Sequence, residues 1–280
     1  MLGQLAEKLQ NITKYKNLKE DYMTILLTKE NEKCIKEEIY QLSIAEADCM
    51  HRIKPVLLFN RMQELAAVGI EKYDIRYGWE ELLKHGFAWF LIKYRVEFDS
   101  FPTNVSEIKM VTESRGCRRM NAFRDFEVFD NNSGQRILKA SSCWVIVDIN
   151  NKSIINLQKT FPEFMAYEDR SDDLQFQKLR TIDNFDCEKV FHVRYDDLDI
   201  NNHVNNTVYI TWALEALDCK FRKAHNLKAI DIMFKHEITY GEDVISQVKY
   251  DMENNITEHV IKSASTGDEL CLLRAEFVEI

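Results

Sequence analysis

The segments IAEADCMHRIKPVLLFNRMQELAA (44–67) and YDDLDINNHVNNTVYITWALEAL (195–217) are two versions of one pattern, and this repeat limits what the chain can fold into more than any other feature. A shift of 151 residues superimposes them without a gap, pairing Asp48 with Asp199, Arg52 with His203 and Glu64 with Glu215. Each copy reads as a strand, an acidic residue, a polar turn and then an apolar helix. Pro55 suits the first turn of the first helix, where its missing N–H costs nothing. Asn205 or Asn206 is the expected cap of the second. In that second helix Thr207, Thr211, Glu215, Asp218 and Arg222 fall on one narrow stripe, while Val208, Ile210, Trp212, Ala213, Leu214 and Leu217 occupy the rest. A helix apolar around most of its circumference has to be wrapped by other structure.

Strand-like runs follow each helix and can supply the wrapping. They are FAWFLIKYRVEF, AFRDFEVFD and ILKASSCWVIVDI in the first half, and DIMFKHEITY, VISQVKYDM, EHVIKSAS and LCLLRAEFVEI in the second. Val244, Ser246, Val248 and Tyr250 alternate with Ile245, Gln247, Lys249 and Asp251, the period of two expected when one sheet face is buried. DNNSG and STGDE supply hairpin turns. The predicted fold class is therefore α+β: two tandem repeats, 33–157 and 188–280, each a long central helix wrapped by an antiparallel sheet. Residues 158–187, with FPEF and EDRSDD, join the halves and are expected to lie across the surface with some structure of their own. Residues 1–32 match neither half; Leu2, Leu5, Leu9 and Ile12 suggest a short amphipathic helix in this extension.

Composition narrows the partners. A net charge of -9 argues against nonspecific binding to nucleic acid, because phosphate neutralisation needs a positive surface. The one locally basic run, RGCRRMNAFR (115–124), reads as the solvated face of a strand. Seven cysteines, widely spread and without a Cys-x-x-Cys pair, read as thiols in a reducing compartment. No run approaches the roughly 20 apolar residues that cross a bilayer, and residues 1–32 lack the marks of a secretory or transit segment. A cytoplasmic protein with no membrane insertion is expected.

The string Asp199-Ile-Asn201-Asn-His203-Val-Asn205-Asn206, followed by Tyr209 and Trp212, resembles the D-x-N-x-H-V-N-N-x-x-Y-x-x-W segment in the second half of acyl-acyl carrier protein thioesterases. The resemblance continues through AFRDFEVFD and KASSCWVIVDI and spans about residues 33–280. It implies a tandem hotdog fold and hydrolysis of an acyl thioester in fatty acid biosynthesis. Glu237, in FKHEI, is then the catalytic glutamate, expected on a strand after the central helix, with His236 on the opposite, exposed face. Some members carry cysteine directly after this glutamate; here the position is Ile238, so no nucleophilic cysteine operates there.

Thioester hydrolysis needs an activated water, a donor for the oxyanion and a way to handle the leaving thiol. On this reading Glu237 is the general base, with its proton affinity raised by desolvation. His203 orients the water or shares its proton, Asn201 positions water or the thioester oxygen, and Asp199 orients Asn201 or His203. The N–H groups of Val204, Asn205 and Asn206 offer an oxyanion site at a helix start. In the first half Met50 and Arg52 replace Asn201 and His203, although Asp48 remains and Glu97 sits in YRVEF much as Glu237 sits in its own run. That half should bind the acyl chain, with Met62, Trp89 and Phe90 helping to set chain length and Tyr209 and Trp212 as core or pocket wall. No cofactor or metal is expected; the partner is acyl carrier protein bearing a phosphopantetheine-linked acyl chain, with a homodimer as a further assembly. An acyl-coenzyme A thioesterase and a noncatalytic acyl-binding sensor remain alternatives. A hotdog hydratase fits less well, because Asn201 and His203 are separated by one residue rather than two.

Overall fold

The computed structural model describes residues 34–101 and 103–280. The amphipathic helix expected at Leu2, Leu5, Leu9 and Ile12 lies outside the described residues. The first repeat contains β1 (Ile35–Gln41), α1 (Pro55–Tyr73), α2 (Trp79–Lys84), β2 (Phe87–Phe98), β3 (Glu107–Arg118), β4 (Asn121–Asp130), β5 (Arg136–Asp148) and the short β6 (Ser153–Ile154). A one-turn helix, α3 (Leu157–Thr160), opens the connection. The second repeat contains β7 (Cys187–His192), α4 (Asn206–Ala216), α5 (Cys219–Ala224), β8 (His225–Phe234), β9 (Asp243–Asp251), β10 (Ile256–Ser263) and β11 (Glu269–Glu279).

The strands form one sheet in the order β1-β3-β4-β5-β2-β8-β11-β10-β9-β7, with β6 on β5. Every pairing is antiparallel. The two repeats meet at β2 and β8, where Lys93 faces Met233, Arg95 faces Asp231 and Glu97 faces Ala229. Arg95 and Asp231 also form a buried ion pair across this seam.

Both central helices lie against the sheet. Pro55 is at the first turn of α1, and its buried residues Leu58, Phe59, Met62, Leu65, Ala66 and Gly69 recur at helical spacing, as an amphipathic helix requires. In α4, Tyr209, Ile210, Trp212, Ala213, Leu214 and Ala216 are buried, and one core cluster joins them to Phe59, Leu65, Val96, Ile230 and Ile232. Phe59 packs edge-on to Tyr94 of β2 with ring centroids 5.3 Å apart.

Three local expectations are corrected. The second central helix ends at Ala216: Leu217 is extended, and the Asp218 carboxylate accepts from the N–H groups of Lys220 and Phe221, capping α5 instead of continuing a stripe. Thr207, assigned to that polar stripe, is buried and donates its hydroxyl to Asn60 Oδ1 at 2.7 Å, tying α4 to α1. The basic run 115–124 is not simply a solvated face, since Arg115 and Arg124 are both buried. Arg115 is covered by the connection, pairing with Asp173 at 2.7 Å while Arg170 grips Glu113 at 2.7 and 2.8 Å. Arg124 faces the other way, among Ala122, Phe126 and Val128 on the core side of β4.

Candidate active site

The loop before each central helix has the same backbone frame. Asp199 Oδ1 accepts from the N–H groups of Asn201 at 2.8 Å and His203 at 3.2 Å, and Asp199 N donates to His203 O at 2.8 Å. In the first repeat Asp48 Oδ1 accepts from Met50 N at 2.8 Å and Arg52 N at 3.0 Å, and Asp48 N donates to Arg52 O at 2.8 Å. Asn202 and His51 both have positive φ, 61° and 59°, a conformation that asparagine tolerates better than most residues. The aspartate is thus a structural hook in both halves, and what differs is the side chains hung on the frame.

In the second repeat the frame presents His203, whose Nδ1 is 3.2 Å from Glu237 Oε2. Glu237 is not on a strand. The β8 ladder stops at Phe234, opposite Cys271, after which the N–H groups of Lys235 and His236 both reach Leu270 O. The backbone then crosses to the loop, where Val204 N donates to Ile238 O at 3.0 Å and His203 bridges Thr239. Glu237 sits on this crossing, and its side chain is 47% exposed. Desolvation raises the pKa of its carboxyl above the ordinary value, with Asp199 adding to the rise and His203 opposing it. His236 is exposed.

The helix start is largely committed. Asn205 is the cap, its Oδ1 accepting from Thr207 N at 3.0 Å. Val204 N is taken by Ile238 O, and Asn205 N donates to Asp197 O at 2.9 Å. Of the three N–H groups expected to form an oxyanion site, only that of Asn206 lacks an acceptor among the described residues. The Asn206 side chain donates to Gln63 Oε1 of α1 at 3.3 Å, a second tie between the repeats.

The first-repeat counterpart is filled. Arg52, at the His203 position, binds Asp48 through Nε at 2.9 Å and Nη2 at 2.8 Å. It also donates to His225 O, Asn226 Oδ1 and Arg222 O. Glu97 is not the counterpart of Glu237: it lies in the β2 ladder opposite Ala229 and takes Arg95. The bridge Arg52–Thr103 mirrors His203–Thr239, so two residues before the bridge Phe101 occupies the position of Glu237.

A cleft of about 330 Å³ joins the two repeats' contributions. Ala66, Ala67 and Ile70 of α1, Trp79, Trp89, Trp144 and Phe164 form apolar walls, and Asn201 and the exposed Ile200 stand at its second-repeat end. This volume and apolar lining with few polar groups suit a small-molecule site. Of the residues expected in the acyl pocket, Trp89 lines the cleft and donates its indole N–H to Tyr77 O at 2.8 Å. Phe90 does not, because strand alternation puts it on the other face from Trp89. Met62, Tyr209 and Trp212 are core rather than lining; Trp212 stacks on Phe191 and Tyr209 meets Trp212 edge-on at 5.4 Å. Arg124, Ser114 and Gln63 are polar lining residues that the sequence reading missed. Alternation with Ala122, Phe126 and Val128 was the signal that could have placed Arg124 inward.

Comparison with known proteins agrees with this architecture. The model of the acyl-ACP thioesterase N-terminal domain matches residues 33–165, and that of the C-terminal domain matches residues 181–279. The palmitoyl-acyl carrier protein thioesterase, chloroplastic, of Arabidopsis thaliana is 28% identical over 176 residues, 60% of this chain but 42% of that protein. The chain therefore spans less than half the length of that relative. An acyl-ACP thioesterase structure from Bacteroides thetaiotaomicron superposes with a TM-score of 0.76 at 18% identity, covering 87% of this chain and 98% of that one. The 12:0-ACP thioesterase from Umbellularia californica gives 0.76 at 18% identity, covering 88% and 98%. The tandem hotdog fold is shared with these structures, and with both domain models matched in order the chain belongs to the acyl-ACP thioesterase family.

Proposed function

We propose that this protein hydrolyses the thioester of acyl-acyl carrier protein, releasing a free fatty acid. The observation that carries the reading is the cleft: its apolar walls come from the first repeat and from Phe164 of the connection, and Asn201, on the loop that also presents His203 to Glu237, is among its polar lining residues. Residues 33–157 would hold the acyl chain and residues 188–280 the chemistry.

Water attacks the thioester carbonyl carbon while Glu237 takes its proton; the raised proton affinity of this carboxyl suits a general base. His203 holds Glu237 and the water in line. The developing oxyanion is met by the Asn201 amide and the N–H of Asn206, donors fixed by the Asp199 hook and by the helix start. As the carbonyl reforms, the C–S bond breaks, and the phosphopantetheine thiolate leaves with the proton held by Glu237. Asp199, with both N–H groups of the loop on its carboxylate, is a positioning residue. In the first repeat Arg52 and Phe101 occupy the corresponding space, which supports one active site per chain.

The decisive measurement is hydrolysis of one acyl group presented on carrier protein and on coenzyme A. Faster turnover on carrier protein supports the proposal, preference for coenzyme A replaces the substrate, and no turnover of either favours an acyl-binding sensor. We extend the reading to a reducing compartment, the cytoplasm, on the strength of seven free thiols, of which Cys34, Cys117, Cys143 and Cys271 are buried. A homodimer is the assembly we infer from the two sheet edges, where Ile39 of β1 and Val190 of β7 are exposed; its mass in solution tests this. Among the described residues, no helix is long and apolar enough to cross a membrane.

A further inference from the structure

Arg124 is the anomaly of the cleft. It is 5% exposed, lines the cleft beside Ala122, Trp144 and Ser114, and makes no ion pair with a carboxylate among the described residues. Its nearest acidic neighbours are engaged on the far face of the sheet, Asp125 with Arg115 and Glu113 with Arg170. Nη1 donates to Thr112 Oγ1 at 3.2 Å, whereas Nη2 is buried without any acceptor among the described residues. The neighbouring Tyr94 hydroxyl is likewise buried and unpartnered. Burial lowers the pKa of the guanidinium only to about 10, so it stays charged at neutral pH.

The fold makes room for this group. A Cβ at Gly69 of α1 would stand 2.6 Å from Arg124 Nη1, so a glycine in the middle of a helix is what admits the guanidinium. Helix-interior glycine is less stable than alanine, and a buried cation without a counterion costs more. A purely hydrocarbon ligand would gain from neither. Arg124 is a buried lining residue of the cleft, while Asn201 and Ile200 are exposed ones. Along α1, Gln63 meets Asn206 and Gly69 stands against Arg124 about 9 Å further on, so an acyl chain held by its thioester at Asn201 and lying along this wall passes Arg124.

We propose that Arg124 is a specificity-determining residue that selects acyl chains whose distal part carries a hydrogen-bond-accepting oxygen, as a hydroxyl, oxo or carboxylate group. The proposal rests on the thioesterase reading for its substrate form but not for its binding chemistry. Donor sites left unpaired by an unsubstituted chain discriminate against that chain, as they do in any pocket built to hydrogen-bond its ligand.

The test uses the whole protein and carrier-protein thioesters of octanoate, dodecanoate and hexadecanoate, each unsubstituted, ω-hydroxylated, ω-carboxylated and β-hydroxylated. At one length the wild type should favour an ω-oxygenated chain by about 10-fold to 100-fold in kcat/KM. The hydroxyl and carboxyl arms separate a neutral acceptor from an anion. Arg124→Met should erase or invert that ratio, the loss falling on KM for the ω-oxygenated chains. Equal or better use of unsubstituted chains at every length, or a ratio unchanged in Arg124→Met, overturns the proposal. Preference for the β-hydroxylated series overturns the distal placement. Binding of the free acids to wild-type protein by calorimetry decides the question if Arg124→Met does not fold: tighter binding of an ω-oxygenated acid supports the proposal and equal affinity overturns it. If no thioester is turned over, the thioesterase reading fails, and the same binding measurement still judges Arg124.

Discussion

Glu237 and His203 stand 3.2 Å apart, but Glu237 is the group whose environment favours its uncharged form. Glu237→Gln should lower kcat by about 100-fold or more while acyl binding and the urea midpoint stay near wild type; near-normal turnover by the folded variant removes Glu237 as the base. The raised pKa also fixes a sign. Wild-type kcat/KM should fall as pH drops through the raised pKa of Glu237, because the base becomes protonated. Stability moves oppositely: the contribution of this carboxyl is present below its unfolded pKa and is lost as pH rises through the raised one. Asp199, Asn201 and His203 were legible because one short loop carries them all. The counterpart of Glu237 was not, since a glutamate in a similar apolar run looks equivalent until ladder register separates Glu97 from Phe101. Arg124 was missed, because the run 115–124 reads as the solvated face of a strand and a charged residue there is ordinarily given to solvent.

At the scale of elements, the duplicated loops explain how one frame serves two ends. The Asp48 frame is locked by Arg52, whose guanidinium reaches the strand β8 and helix α5 of the other repeat. Arg52→Ala should destabilise the protein by roughly 1–3 kcal/mol, because Asp48 Oδ2, His225 O, Asn226 Oδ1 and Arg222 O lose their donor. The check is a lowered urea midpoint at unchanged m-value, with kcat of the remaining folded protein retained. Strand runs were largely visible from alternation, and β2 was read to the residue. The length of α4 was not, because the apolar positions continue through Leu217 while the break is made by Asp218, a side chain equally at home on a polar stripe or as a cap.

Across the whole molecule, the second half of the sheet buries His259 of β10. Its Nε2 meets Thr257 Oγ1 at 2.8 Å, its Nδ1 has no partner among the described residues, and burial lowers its pKa to about 3. The unfolded chain takes up a proton near the ordinary 6.5 while the fold does not. The stability contributed is therefore present above that pH and lost as pH falls from 6.5 towards 3. Thermal denaturation over this range should show a steep loss of Tm that His259→Leu makes shallower; equal slopes would assign the acid sensitivity elsewhere.

The seam between β2 and β8 has a consequence for folding in the cell. Joined there, the main run of the sheet ends only at β1 and β7, so two wrapped helices share two open strand edges instead of four. Separating the repeats would bare β2 and β8, whose Tyr94, Val96, Ile230 and Ile232 form the kind of long apolar edge that templates aggregation. Synthesis reaches β2 well over a hundred residues before β8, so the first repeat must wait on the ribosome with its edge uncovered. Residues 34–157 expressed alone should accumulate in inclusion bodies or pair edge to edge, and co-expression with residues 181–280 should recover soluble protein.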